Sequence, residues 1–242
     1  MTRFFIDTGH NIGEIVTISG ENFDHLKVLR PRVGEVIELC NPAMQVVYHA
    51  EIEIISRRDA QVNVVGQTSV DSEPAVNITL FQGVPKGDKM ELIIQKCVEL
   101  GVSKIVPIIT ARTVSHPANA AQKQQRWQKI AHAAAQQSRR GIIPDIGDII
   151  TFQEALGELA NFDSAFVAYE CEAGLKASEA FKAAKGRNIA LFIGPEGGFE
   201  PCEIQELCAG GAKSVSLGKR ILRTETAAFA ATIILLSAQG EF

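Results

Sequence analysis

Ile189-Ala190-Leu191-Phe192-Ile193-Gly194-Pro195-Glu196-Gly197-Gly198-Phe199 is the stretch whose reading decides the fold. Five apolar residues favour a strand buried on both faces, as in a parallel sheet covered by helices. A turn with three glycines follows, and Pro201 stands where the next helix would begin. Glycine permits positive φ and lets backbone N–H and C=O groups come close to a ligand. In open α/β sheets, ligands bind at the carboxyl ends of strands, where this turn falls. A second turn of the same kind lies at Leu217-Gly218-Lys219-Arg220-Ile221-Leu222-Arg223-Thr224-Glu225-Thr226-Ala227. Two such turns after successive strands read as walls of a pocket.

Working outward, strand-like and helix-like runs alternate from residue 76 onward. Strands are expected at 76–81, 104–109, 164–169, 189–193 and 214–217, and helices at 86–100, 121–139, 152–159, 175–184, 201–209 and 224–238. This alternation predicts a mostly parallel sheet flanked by helices. Residues 1–70 differ. Short strands at 3–6, 15–18, 36–40, 46–55 and 61–65 predict a small β-barrel or sandwich. The polar stretch 67–74, ending in Pro74, reads as a linker. The expected organisation is a β domain over 1–70 and an α/β domain over 71–242, with no internal repeat.

The chain has 242 residues and a net charge of -4. Its five cysteines are an odd number, and they are scattered without a C-x-x-C pair. That favours reduced thiols in a cytoplasmic protein over a disulfide framework or zinc site. The five histidines are equally dispersed, so no metal is expected. The amino-terminal residues have no long apolar core, which argues against a signal peptide. The apolar run from Ala227 to Ala238 is too short to span a bilayer and reads as a buried helix. No membrane partner is expected.

The first glycine turn lacks the Gly-Lys-Ser/Thr of a Walker A loop and the spacing of a dinucleotide fingerprint. A phosphate cradle is therefore disfavoured, leaving a ligand read by backbone groups or a plain strand-to-helix connection. In the second turn, Arg220 and Arg223 flank the apolar pair Ile221-Leu222. Such a pair suits a pocket with an aromatic ligand on one side and an anion on the other. Thr224 can cap the following helix, and Glu225 complements its dipole. Between Glu99 and Asp145 no acidic residue occurs, whereas Lys104, Arg112, Lys123, Arg126, Lys129, Arg139 and Arg140 do, interleaved with glutamines and Trp127. This is the electrostatic footprint of a phosphate backbone or, alternatively, a solvated helix face. Arg3, His25, Lys27, Arg30 and Arg32 form a weaker basic set, offset by neighbouring acids. No activated nucleophile appears, so the chemistry rests on positioning two substrates.

These residues resemble a known family. Gly194-Pro195-Glu196-Gly197-Gly198-Phe199 together with the stretch from Leu217 to Ala227 is similar to the signature of the bacterial 16S ribosomal RNA uracil-N3 methyltransferases of the SPOUT superfamily. Gln95-Lys96-Cys97-Val98-Glu99-Leu100-Gly101, Gln137-Ser138-Arg139-Arg140, Arg3-Phe4-Phe5 and His25-Leu26-Lys27-Val28-Leu29-Arg30 agree with it. The resemblance implies a PUA-like barrel that holds RNA, followed by a catalytic domain with a deep trefoil knot. It also implies a homodimer acting on 16S ribosomal RNA in the small ribosomal subunit. S-adenosyl-L-methionine would be held by Tyr169, by Ile193, Gly194, Pro195, Glu196, Gly197 and Gly198, and by Leu217, Gly218, Ile221, Leu222 and Thr224. Arg223 or Arg220 would stabilise the uracil anion, and Glu225 or another group would accept the N3 proton. Arg3, Lys27, Arg30, Arg112, Arg139 and Arg140 are the expected RNA contacts. Methylation of another RNA position, such as a ribose hydroxyl, and an RNA-binding adaptor without catalysis are the competing readings.

Overall fold

A computed structural model describes residues 2–114 and 119–242. The chain divides into two compact units: Met1–Glu73 with Ala135–Ile143, and Pro74–Ala134 with Pro144–Phe242.

The first unit is built on a five-stranded sheet. Its order is β1 (Arg3–Phe5), β3 (Val36–Asn41), β4 (Val46–Ile55), β5 (Ala60–Ser69), β2 (Ile15–Ile18). Only β1 and β3 pair in parallel. In β4, Ala50 and Ile52 are fully buried while Glu51 and Glu53 face solvent, the period-two pattern of a half-buried strand. Register shifts at His49/Ala50 and Ile52/Ile54 bend β4 and β5, so the sheet curls around Phe4, Leu39, Tyr48 and Ile52.

Two features of this unit were not anticipated. Helix α1 (Gly20–Val28) buries only Phe23 and Leu26, a stripe one turn long that leaves little periodic signal. Strand β5 runs to Ser69, which pairs with Val46. Ladder pairing here overrides the polar composition read as linker.

The second stretch of this unit, Ala135–Ile143, is held by buried charge. Arg3 Nε donates to Glu38 Oε2 at 2.9 Å, and Arg3 Nη1 donates to the carbonyls of Arg139 and Arg140. Arg140 grips Glu73 through Nε at 2.9 Å and Nη2 at 2.6 Å. Glu73 also accepts the Gly141 N–H at 2.6 Å. Arg3 is 6% exposed and Arg140 2%. The expectation that both contact RNA is thereby corrected. Their guanidinium forks are spent on carboxylates and carbonyls inside the unit.

The second unit holds a seven-stranded, all-parallel sheet. Its order is β12 (Lys213–Val215), β10 (Ser164–Ala168), β11 (Asn188–Ile193), β6 (Asn77–Gly83), β7 (Lys104–Ile109), β8 (Asp145–Ile146), with β9 (Ile150–Thr151) also on β7. The helices are α2 (Lys89–Leu100), α3 (Ala120–Gln137, of which the part to Ala134 belongs to this unit), α4 (Phe152–Gly157), α5 (Ala177–Lys182), α6 (Pro201–Ala209) and α7 (Thr224–Ala238). This is the expected α/β architecture. The two-residue strands β8 and β9 are too short to leave a pattern in the sequence.

Phe81 of β6 stacks on Phe192 of β11 with ring centroids 4.5 Å apart, within a cluster that includes Phe199 and Leu207. Helix α7 buries Ala228, Ala231, Thr232, Leu235 and Leu236 and packs on α2, α5 and β11. Among the described residues no helix is long and apolar enough to cross a membrane.

The order of strands positions the site. The chain leaves β10 for its neighbour β11, then returns past β10 to β12 on the other side. Connections diverging from one strand open a crevice at the carboxyl end of the sheet.

Candidate active site

A cleft of about 420 Å³ occupies that crevice, within the size range of small-molecule sites. Its walls are the segments leaving three adjacent strands: Tyr169 and Glu170 after β10, residues 194–198 after β11, and Ser216 to Thr224 after β12. Every residue expected to hold the cofactor lines it, as do Arg220 and Arg223. Lys89, Ala168, Glu170, Ser216 and Ala227 also line it and were not anticipated. They lie on neighbouring elements that no local motif connects to the turns. Glu225 is not part of the lining. Its Oε2 is buried without a hydrogen-bond partner and 4.0 Å from Lys89 Nζ.

The first glycine turn needs its glycines for two reasons. Gly198 has φ +68°, where a side chain is strained. A Cβ on Gly194 would sit 2.9 Å from the Gly198 carbonyl carbon, so the turn closes on itself too tightly for one. Helix α6 then starts on Pro201, with Glu200 and Glu203 forming a capping box.

Arg112 was expected on RNA. It donates through Nη1 to the Gly197 carbonyl and through Nε to Glu200 Oε1, both at 2.8 Å, so its guanidinium, still partly exposed, braces the glycine turn. The Arg112 guanidinium in turn holds the Glu200 carboxyl below its ordinary value. On the other flank, Glu196 accepts Lys89 Nζ at 2.7 Å and the Lys86 N–H at 3.1 Å. Burial pushes the Glu196 carboxyl up, but hydrogen bonds from Lys89 and from backbone N–H groups, with the Lys89 charge, outweigh it and hold the group below its ordinary value.

In the second turn, Gly218 has φ +120°. Arg220 and Arg223 are exposed, and Ile221 is 85% exposed at the cleft rim rather than in a core. Thr224 does not cap α7. The N-cap is Arg223, with no side-chain hydrogen bond. Thr224 is buried, and its hydroxyl donates to the Gly194 carbonyl at 2.6 Å. Gln82, fully buried at the end of β6, donates to Thr224 Oγ1 and to the Gly83 carbonyl, both at 2.9 Å. Nothing in the sequence singled out Gln82, whose role depends on β6 lying beside β11.

The basic segment is largely neutralised. Lys104 faces Asp145 at 3.6 Å, Arg126 pairs with Glu91 at 2.9 Å, and Trp127 is buried. In the first unit, Lys27 pairs with Asp24 at 2.8 Å. Arg30 and Arg139 are exposed, both with left-handed φ, and among the described residues no carboxylate pairs with either. No group of metal-ligating side chains occurs among the described residues.

The cleft pairs a backbone-lined, partly apolar pocket with two arginines at its mouth. Such a lining suits a ligand with an aromatic part against the apolar wall and an anionic or electron-rich group beside the arginines. The RNA methyltransferase domain family matches residues 72–236, and the RNA methyltransferase PUA domain matches 18–65. The chain is 36% identical to ribosomal RNA small subunit methyltransferase E of Bacillus subtilis, over 94% of this chain and 93% of the relative. It is 30% identical to the Mesomycoplasma hyopneumoniae protein of the same name, over 94% and 96%. A crystal structure of ribosomal RNA small subunit methyltransferase E from Neisseria gonorrhoeae, bound to S-adenosyl methionine, superposes with a TM-score of 0.89 at 33% identity. The match covers 98% of this chain and 97% of that one. The chain belongs to the ribosomal RNA small subunit methyltransferase E family of SPOUT-type RNA methyltransferases.

Proposed function

We propose that this protein transfers a methyl group from S-adenosyl-L-methionine to N3 of a uridine in 16S ribosomal RNA. The observation that carries the reading is the cleft at the carboxyl ends of β10, β11 and β12, with Arg220 and Arg223 exposed at its mouth. The lining fits the cofactor. Ile193, Leu217 and Leu222 offer apolar contact for an adenine, glycine-turn backbone offers donors and acceptors, and Glu170 and Glu196 supply negative charge near a cation. When bound, the cofactor supplies an electrophilic methyl group on a sulfonium.

The chain's own groups do the rest. The two turns orient the cofactor and exclude water. Uracil N3 loses a proton, and the resulting charge spreads over the ring oxygens. Arg223, with Arg220 beside it, stabilises that charge electrostatically. Glu225, whose buried Oε2 lacks a hydrogen-bond partner and lies 4.0 Å from Lys89 Nζ but which does not line the cleft, or another group accepts the proton. The target base leaves its stack to reach the cleft.

Pro74–Ala134 with Pro144–Phe242 form the catalytic domain in this reading, and Met1–Glu73 with Ala135–Ile143 the RNA-holding domain, so the expected boundary at residue 70 moves to 73 and the segment 135–143 changes sides. Lys27, Arg30, Arg112 and Arg139 remain as RNA contacts. A cytoplasmic homodimer with a knotted catalytic domain, acting within the small subunit, completes the proposal.

Nucleoside mass spectrometry of 16S RNA from cells with and without the protein tests it. Loss of 3-methyluridine on deletion, restored by complementation, is the expected result. Loss of a ribose-methylated nucleoside, or of none, overturns it.

A further inference from the structure

Gln82 places a primary amide where the fold gives it no obvious use. It is fully buried on β6, opposite Ile193 of β11. Its Oε1 is buried without a partner, which costs stability that an apolar side chain of similar volume would avoid. Its Nε2 is the half that is used. One N–H donates to the Gly83 carbonyl at 2.9 Å and the other to Thr224 Oγ1 at 2.9 Å. The Thr224 hydroxyl, its lone pair so occupied, donates onward to the Gly194 carbonyl at 2.6 Å. Gly194 O also lies 3.5 Å from Gln82 Nε2. The chain of donors is directional because both ends are carbonyl oxygens, which only accept.

This chain joins the two turns that form the cleft. Gly194 opens the turn after β11, and Thr224 ends the turn after β12. They are 30 residues apart, and Gln82 is 112 residues from the first and 142 from the second. The two turns flank the cleft, so their separation sets its width. A buried link in a low-dielectric surrounding fixes that separation more firmly than exposed contacts do.

We propose that Gln82 is a positioning residue: with the Thr224 hydroxyl it locks the glycine turn after β11 to the turn after β12 and so presets the cleft for the cofactor. The inference rests on the S-adenosylmethionine reading above. Gln82 touches no substrate. It acts through Thr224 and Gly194, as second-layer support does for groups that must be held within fractions of an ångström.

The test is calorimetric binding of S-adenosylhomocysteine to the full chain and to Gln82→Met, Thr224→Val, Thr224→Ser and the Gln82→Met/Thr224→Val double variant, with melting temperatures alongside. Gln82→Met and Thr224→Val are expected to weaken binding about tenfold, while Thr224→Ser, which keeps the hydroxyl, stays within about threefold of the parent. The double variant is expected to bind no more weakly than Thr224→Val by more than about threefold, because both changes cut one chain. In turnover assays of Gln82→Met the loss appears in the cofactor KM, with kcat at saturation and the RNA KM little changed.

Parental affinity in a folded Gln82→Met overturns the proposal. So does equal loss in Thr224→Ser and Thr224→Val. Affinity losses that only track falling melting temperature make Gln82 a core residue and overturn it too. If the parent itself does not bind S-adenosylhomocysteine, the cofactor reading fails first and this inference with it.

Discussion

Lys89 Nζ stands 2.7 Å from Glu196 Oε1, tying the first turn of α2 to the glycine turn after β11. Both side chains are about one-third exposed, so the pair contributes no more than about 1 kcal/mol to global stability. Its effect is local. Glu196→Gln is expected to leave the melting temperature at pH 7 within a few degrees of the parent while weakening S-adenosylhomocysteine binding several-fold by calorimetry. The pH dependence has a definite sign. The folded Glu196 carboxyl lies below its ordinary value, so its stabilisation is full above about pH 4.3, the ordinary glutamate value, and is lost as pH falls through the lowered value. Melting curves recorded downward from pH 6 should therefore fall more steeply for the parent than for Glu196→Gln. Parallel curves would count against the pair.

Gly83 tests how closely β6 approaches the same turn. A Cβ there would lie 2.5 Å from the Pro195 backbone nitrogen, and backbone cannot swing aside as a side chain can. Gly83→Ala is expected to destabilise the protein by about 1–3 kcal/mol through overpacking and to abolish measurable cofactor binding. Denaturant titration and calorimetry check the two parts separately.

Arg140 and Arg139 are neighbours with opposite expected behaviour. Arg140→Ala removes one partner of a buried pair and strands Glu73, at a cost of about 3 kcal/mol or more. Arg139→Ala, at an exposed side chain, should alter stability by less than about 0.5 kcal/mol. It should weaken RNA binding and reduce the salt slope by about one unit. Urea denaturation and RNA binding measured across salt concentrations separate the two. A stable Arg140→Ala protein would contradict the structural role.

At the cleft mouth, Arg223→Ala is expected to lower kcat about 10²-fold, the usual scale for deleting one group that stabilises developing charge. Cofactor affinity should stay within a few-fold of the parent. Single-turnover methylation of RNA at saturating cofactor gives the rate. Unchanged turnover would remove Arg223 from the chemistry.

The parts of this molecule that were legible in the sequence are those written in neighbouring residues. The run from Ile189 to Ile193, the glycines at 194, 197 and 198, and Pro201 at a helix start all act within a few residues of each other, and the structure reproduces them. The cleft lining was read the same way, turn by turn. What escaped was pairing across long separations. The segment between Glu99 and Asp145 reads as strongly basic only because its carboxylate partners lie elsewhere: Glu200 is 88 residues from Arg112, and Glu73 is 67 from Arg140. Gln82 and Lys89 escaped for the same reason. Lys89 reaches the cleft, and Gln82 the two turns that wall it, through a helix and a strand placed there by the sheet order, which composition does not encode. In sequence Thr224 reads as a cap because a threonine at a helix start ordinarily serves its own helix, whereas here the distant Gly194 carbonyl takes its hydroxyl.

The return of residues 135–143 to the first unit has a consequence for how the chain is made. Synthesis proceeds from the amino terminus, and domains ordinarily fold as they emerge. Here Arg3 waits for the carbonyls of Arg139 and Arg140, and Glu73 waits for the Arg140 guanidinium. More than half of the polypeptide must be translated before the first-made strands can complete their buried charge network. The amino-terminal unit is the first to begin folding, yet it cannot be finished until much of the methyltransferase domain has followed it out of the ribosome.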